Sequence, residues 1–241
     1  MNPVVSREEW QAARLALLAE EKAMTRALDA LRAKRAALPW VRVDKEYRFE
    51  TEAGPARLAD LFGPHRQLMV QHFMFAPGWA EGCVGCSFGA DHVDAMLPHL
   101  AARDVGFVAV SRAPLAALLP FKARMGWRFA WASSFGSAFN HDFGVSFSAE
   151  DIAAGRAIYN YRPMRDGGEE QSGLSAFYRD GEGQVFHTYS TFGRGDEMLM
   201  GAYMMLVMAP LGRNEGGLPF PSAWWRHHDR YATQDGACCA P

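Results

Sequence analysis

The stretch that decides the fold runs from residue 67 to residue 110, QLMVQHFMFAPGWAEGCVGCSFGADHVDAMLPHLAARDVGFVAV. It opens with Gln67 to Phe75, a largely apolar run with the length of a buried strand. From Ser87 to Ala102 the apolar residues Phe88, Val93, Met96, Leu97 and Leu100 recur at helical spacing. Val105 to Val110 is again continuous, apolar and rich in β-branched side chains. Strand, helix and strand in that order predict a parallel pair joined by a right-handed crossover. Between the first strand and the helix stands Cys83-Val84-Gly85-Cys86.

Outward from this unit, Leu115 to Met125 reads as a second helix stopped by Gly126, and Trp127 to Trp131 as a further strand. Ser175 to Arg179 and Gln184 to Ser190 flank the turn-rich Asp180-Gly181-Glu182-Gly183, which predicts an antiparallel hairpin. A last helix is expected from Asp196 to Ala209, ended by Pro210 and Gly212, with its five methionines serving as adaptable core. On the other side, Tyr47 to Thr51 and Ala56 to Leu58 surround Ala53-Gly54-Pro55 as strand, turn and strand. Ser6 and Glu9 form a capping-box pattern, after which the chain runs to Leu38 without Gly or Pro. That long helix either packs on its own domain or serves as a dimerisation arm; the partner in the second case is another copy of the chain. The domain reading is therefore a helical arm over residues 1–40, an α/β domain over 41–231 and a flexible tail over 232–241.

The composition excludes several classes. Apolar residues make up 49% of the 241, with 23 Gly and 13 Pro, so neither whole-chain disorder nor collagen fits. The 25 Lys and Arg against 27 Asp and Glu give a net charge of −2, with no basic stripe to meet a phosphate backbone. Nucleic acid is not an expected partner. The longest apolar run, Met198 to Leu211, is about 14 residues against the ~20 needed to span a bilayer, so no membrane segment is expected. Glu8 and Glu9 sit where a signal peptide would be apolar, and the expected location is the cytoplasm.

The four cysteines fall as two pairs, Cys83 with Cys86 and Cys238 with Cys239. In a reducing compartment such pairs are more often catalytic or metal-binding than structural. At a helix start, unpaired backbone N–H groups favour a thiolate, so the Cys83 pKa should fall below the free value of about 8.5. Cys83 is then the nucleophile. Cys86, one turn further in, attacks the mixed disulfide and closes the Cys83–Cys86 bridge. His72, in the strand leading to the motif, is the candidate proton carrier for Cys86. Glu81, two residues before Cys83, opposes the thiolate if close and ionised. His92, six residues after Cys86, is expected to be exposed. The rival readings are a soft-metal carrier, with copper(I) or zinc held by the same thiols and His141 or His187, and an interaction domain whose cysteines are redox-inert. The tail pair Cys238-Cys239 is either an electron relay or an incidental end.

The order of elements, with Cys-x-x-Cys at the first strand-to-helix junction, resembles the thioredoxin-like fold. That implies a central mixed sheet flanked by helices. Phe49 through Gly54 to Gly63 is similar to the opening of the alkyl-hydroperoxide-reductase and thiol-specific-antioxidant branch. Gly82-Cys83-Val84-Gly85-Cys86-Ser87-Phe88, Val110-Ser111-Arg112-Ala113-Pro114, Arg124-Met125-Gly126-Trp127-Arg128-Phe129 and Phe186-His187-Thr188-Tyr189-Ser190 resemble a bacterial family known as domain of unknown function 899. The resemblance spans nearly the whole chain and implies a thiol-redox role, with a thiol or disulfide substrate, an electron donor and no cofactor. The sequence departs from better-known relatives in three places. Trp79 precedes Cys83 by four residues instead of one, Ser172-Gly173-Leu174 stands where thioredoxins carry a cis-proline, and Ala80 replaces the Thr of peroxiredoxins. The last departure makes a thiol peroxidase the weaker alternative among enzymes. Trp79, Arg112 and Asn140 are the candidate substrate-binding residues. Asn140 belongs to the loop segment Phe139 to Gly144, which either lines a pocket or caps strands. Trp224 to Asp229 reads as a docking segment that packs the C-terminus onto the domain.

Overall fold

The computed structural model describes residues 2–164 and 167–233, so Cys238, Cys239 and the rest of the tail from residue 234 lie outside the described residues. The chain falls into two units, one up to Trp40 and one from Val41 onward. The first is essentially helix α1 (Arg7–Ala36). Its start is closed by the reciprocal capping box, in which Ser6 N–H donates to Glu9 Oε2 at 2.9 Å and Glu9 N–H donates to Ser6 Oγ at 3.1 Å. Glu8 and Glu9 in the first turn and Lys34 and Arg35 in the last complement the helix dipole. None of the residues of α1 is buried.

The second unit contains strands β1 (Val41–Arg42), β2 (Arg48–Thr51), β3 (Gly54–Arg57) and β4 (Gln67–His72), then helices α2 (Val84–Ala90) and α3 (Leu97–Ala101). Strand β5 (Val105–Ser111), helix α4 (Leu115–Arg124), strand β6 (Ala130–Ser133) and helices α5 (Phe139–Asp142) and α6 (Ala149–Ala153) follow. The chain continues through β7 (Ile158–Tyr159), β8 (Arg162–Pro163), β9 (Gly173–Arg179), β10 (Val185–Phe192) and α7 (Gly201–Leu206). Among the described residues eight strands form one mixed sheet in the order β1-β10-β9-β4-β5-β6-β2-β3. Strands β4, β5 and β6 are parallel neighbours, and the β9–β10 hairpin runs antiparallel beside β4. This is the arrangement that the sequence implied.

The alternation along the central strands separates two cores. Leu68 and Val70 of β4, Val108 and Val110 of β5 and Ala132 of β6 face one side, where they meet Phe49, Phe62, Phe139 and Phe177. Ala109 of β5 and Trp131 of β6 face the other, against Phe73, Phe75, Leu118, Phe121 and Cys86. Helices α2 and α4 cover this second side.

The helix expected over Ser87 to Ala102 is two short helices with tight turns between them. The acids of the turn are used elsewhere: Asp94 accepts the backbone N–H groups of Arg128 (2.8 Å) and Phe129 (3.0 Å), and Asp91 accepts Trp127 Nε1–H (2.8 Å). Because Asp94 holds residues 128 and 129, the strand expected over Trp127 to Trp131 begins only at Ala130. The last helix is also shorter, a 3-10 turn over Gly193–Leu199 followed by α7, because Met200 leaves the helical conformation (φ −88°, ψ 81°) and turns inward against Phe88 and Tyr203. The expected methionine core reduces to Met200; Met198, Met204, Met205 and Met208 are exposed. No helix of the described residues is long and apolar enough to cross a membrane.

Phe139, fully buried, closes the first core through edge-to-face contacts with Tyr47 (5.2 Å) and Phe49 (5.0 Å). Phe139→Ala is expected to lower stability by about 3–5 kcal/mol in urea unfolding, and a wild-type midpoint would contradict this packing.

Candidate active site

The motif is held by the chain just beyond β4. Phe73 N–H extends the parallel ladder to the Val110 carbonyl (2.9 Å). Met74 then binds the motif twice: its carbonyl accepts Cys83 N–H at 3.0 Å, and its N–H donates to Cys86 Sγ at 3.4 Å. Cys83 is the N-cap residue of α2, and its carbonyl accepts both Ser87 N–H and Ser87 Oγ–H at 2.9 Å. Gly82 has no room for a side chain, since a Cβ there would lie 2.6 Å from the Phe73 ring and 2.9 Å from that of Phe121. The glycine before the first cysteine is thus a packing requirement.

Both cysteines are free thiols, Cys83 half-buried and Cys86 5% exposed. Their acidities move in opposite directions. A hydrogen bond from the Cys86 thiol, helped by the N–H groups of Cys86 and Gly85, outweighs burial and brings Cys83 down to about 6. Cys86 is pushed well up, first by its bond to Cys83, then by burial and by the charges of Cys83 and Asp196.

Cys83 and Cys86 line a cavity of about 650 Å³. Its other walls come from the turn before β9 (Ser172, Gly173), from the segment with Asp196 and Met200, and from the C-terminal segment with Ser222 and Trp225. Sequence reasoning missed Asp196. Burial pushes its carboxyl up to about 6, with Glu197 adding to the effect, so it titrates in the same range as Cys83. The only sequence signal was an acid opening an apolar stretch, which also describes a helix start. Gln71 also lines the cavity, and its amide donates to the Cys86 carbonyl at 3.2 Å.

The segment Trp224 to Asp229 packs on the domain as expected, and its landing place is the motif itself. Trp225 stacks on Phe88 at 5.1 Å and 11°. A Cβ on Gly85 would lie 2.7 Å from the Trp225 ring. His227, 3% exposed, donates from Nε2 to the Gly82 carbonyl at 3.0 Å, and Arg124 donates to its Nδ1 at 3.2 Å.

The remaining sequence candidates are placed as follows. His72 is fully buried and lines the cavity, yet its ring partner is Ser175, with Nε2 and Oγ 2.7 Å apart. Ser175 bonds Ser190 at 2.7 Å, and Ser190 bonds His187 Nε2 at 2.7 Å, giving a polar chain across β4, β9 and β10. Burial, with His187 adding to it, brings His72 down to about 3, so the ring is neutral. Trp79 is exposed in the turn before the motif, and Arg112 and Asn140 lie in a separate cluster; none of the three lines the cavity. Arg112 donates to buried Glu170 (2.6 Å) and contacts His141 Nε2 (3.1 Å). Asn140 accepts Ser134 Oγ–H at 2.7 Å, and its carbonyl accepts Val145 and Ser146, so it ties a loop. Glu81 is raised by burial, but Arg230 and Arg124 outweigh this and hold it below the ordinary carboxylate value. Its charge is taken up by two guanidiniums. His92, expected to be exposed, is half-buried and bonds the Phe88 carbonyl through Nδ1 (2.8 Å) and Ala202 N–H through Nε2 (3.0 Å). For the metal chemistry, His141 and His187 are engaged with Arg112 and Ser190. Among the described residues no group of three or more His, Cys, Asp or Glu is placed to hold a metal ion.

A parallel β-α-β core, a hairpin beside its first strand and a Cys-x-x-Cys at the first helix start define a thioredoxin-like protein. The chain belongs to the family of bacterial proteins of unknown function DUF899, whose model matches residues 1–231. Among solved structures it is similar to peroxiredoxin Q from Xanthomonas campestris, with 13% identity, a TM-score of 0.45, and 66% of this chain and 90% of that one covered. It is also similar to peroxidoxin BcpB from Mycobacterium tuberculosis, with 15% identity, a TM-score of 0.44, and 68% and 97% covered. No curated protein matches it.

Alkylation of the reduced protein tests the thiol assignment. Because the thiolate is the reactive form, Cys83 modification should rise with pH to half its maximum near pH 6 and level off above neutrality, while Cys86 stays unmodified. A Cys83 midpoint near 8.5, the free-thiol value, would contradict the geometry.

Proposed function

We propose that this chain is a thiol–disulfide oxidoreductase that cycles Cys83 and Cys86 between dithiol and disulfide. The observation that carries the reading is the placement of two free thiols at one cavity, Cys83 at the start of α2 and Cys86 buried and bonded by the Met74 N–H. Their acidities move in opposite directions, Cys83 down to about 6 and Cys86 well up. One is then ionised and accessible at neutral pH, while the other keeps its proton until it is needed.

In the first step the Cys83 thiolate attacks a substrate disulfide, forming the Cys83 mixed disulfide and releasing one substrate thiolate. In the second, Cys86 loses its proton and attacks Cys83 Sγ, closing the Cys83–Cys86 bond and releasing the second thiolate. Two electrons pass from the protein to the substrate, and a dithiol reductant restores the pair by the reverse exchange. Asp196 is the proton acceptor for Cys86 in this reading. It lines the same cavity, its charge acts on the Cys86 thiol, and burial brings its own pKa to about 6.

The variants separate the roles. Cys86→Ser should accumulate a mixed disulfide at Cys83, visible by intact-mass spectrometry, and Cys83→Ser should accumulate none. Asp196→Asn should leave the first step in place and slow bridge closure at neutral pH by about a hundredfold, the lower end of the usual effect of a general base. A Cys83→Ser protein that still turns over disulfides would remove Cys83 as nucleophile.

A further inference from the structure

We infer that the disulfide exchanged at Cys83 belongs to a small, uncharged or cationic molecule and not to a protein chain. This rests on the dithiol reading above and concerns what reaches the sulphur. The surface of the helix start, where an extended peptide would have to lie across Cys83, is occupied by the protein's own C-terminal segment. Trp225 lies on Phe88 and fills the space above Gly85. Behind it the segment is tied down at four consecutive residues. His227 bonds the Gly82 carbonyl (3.0 Å), His228 bonds Asp91 (2.7 Å), Asp229 bonds Arg124 (2.8 Å) and Arg230 bonds Glu81 (2.8 Å). A protein substrate must break these ties. A small molecule need not, because the cavity of about 650 Å³ falls within the ~300–1,000 Å³ of small-ligand sites.

The charges of the walls select among small molecules. Asp196, Glu197 and Glu215 line the cavity against Arg194 and Arg213. Arg213 is already committed to Glu215 (2.9 Å) and Glu197 (3.7 Å), with its guanidinium 3.7 Å above the Tyr203 ring. Arg194 is likewise held by Glu197 at 3.0 Å. Both guanidiniums of the lining are paired with carboxylates, although Arg213 Nε–H itself has no partner among the described residues. The three carboxylates outnumber the two guanidiniums, and Asp196 adds negative charge as it ionises. The rest of the lining, Met74, Val93, Phe107 and Leu199 among it, suits an apolar body.

The test uses the reduced full-length protein and three oxidants: cystamine, which is dicationic, dithiodiglycolate, which is dianionic, and insulin. Each rate of Cys83–Cys86 bridge formation, read by differential alkylation, is divided by the rate of the same oxidant with dithiothreitol, which removes intrinsic reactivity. Cystamine should exceed dithiodiglycolate by at least about tenfold, as expected for charge steering into a lined cleft. It should exceed insulin by at least about tenfold on access alone. The double variant His228→Ala, Asp229→Ala loosens the segment and should raise the insulin rate relative to that of cystamine, so that the cystamine-to-insulin ratio falls; an unchanged ratio would contradict the exclusion of protein chains by this segment. A normalised insulin rate equal to or above that of cystamine in the wild-type protein would overturn the inference and leave the exchange chemistry standing. Preference for dithiodiglycolate would overturn the charge selection. If none of the three forms the Cys83–Cys86 bridge, the dithiol reading fails with it.

Discussion

The site depends on the backbone of one residue, Met74, whose N–H and carbonyl both meet the motif. Its carbonyl accepts Cys83 N–H and its N–H donates to Cys86 Sγ, so both ends of the Cys-x-x-Cys are registered against the strand that precedes them. That strand is in turn fixed by its parallel ladder to β5 and its antiparallel ladder to β9. A buried sulphur that receives a backbone N–H is a position that the sheet determines and the loop does not. Beside the hydrogen bond from the Cys86 thiol, the short helix α2 then supplies the sulphur of Cys83 with the N–H groups of Cys86 and Gly85.

Two glycines make this closeness available. Gly82 lets the chain pass against the Phe73 and Phe121 rings, and Gly85 lets Trp225 rest on the helix start. The C-terminal segment therefore forms a wall of the site, held by His227 on the Gly82 carbonyl and by the ion pairs of Asp229 and Arg230. The chain from His72 through Ser175 and Ser190 to His187 links polar groups that the hairpin buries, while His72 Nδ1 keeps no partner among the described residues. Neutral His72 joins three adjacent strands at the edge of the cavity.

The fold was legible because it rests on local patterns: continuous apolar strands, a hairpin turn, and a helix period between two parallel strands. The position of the motif was legible for the same reason, since a strand-to-helix junction is a property of sequence order. What the sequence could not carry were contacts made over long separations. Asp94 reaches residues 128 and 129, Trp225 reaches Gly85, and Met200 turns inward to Phe88; each changes an element end or builds a wall without any local signal. Arg112 and Asn140 illustrate the converse. Their types suggest ligand contact, yet Glu170 and Ser134 engage them in tying together the long loop after β6. His72 was read from its proximity along the chain to Cys83, whereas its partner is 103 residues away.

The central claim is a reversible two-electron couple at Cys83 and Cys86, and one measurement addresses it most directly. The purified protein is equilibrated across a series of glutathione to glutathione disulfide ratios, and differential alkylation with peptide mass spectrometry reports each cysteine separately. The account requires Cys83 and Cys86 to change together in a single transition whose oxidised product is the Cys83–Cys86 disulfide, at a potential that places it among cellular dithiol partners. Independent titration of the two residues, or glutathione adducts at Cys83 that never resolve into the bridge, would contradict it.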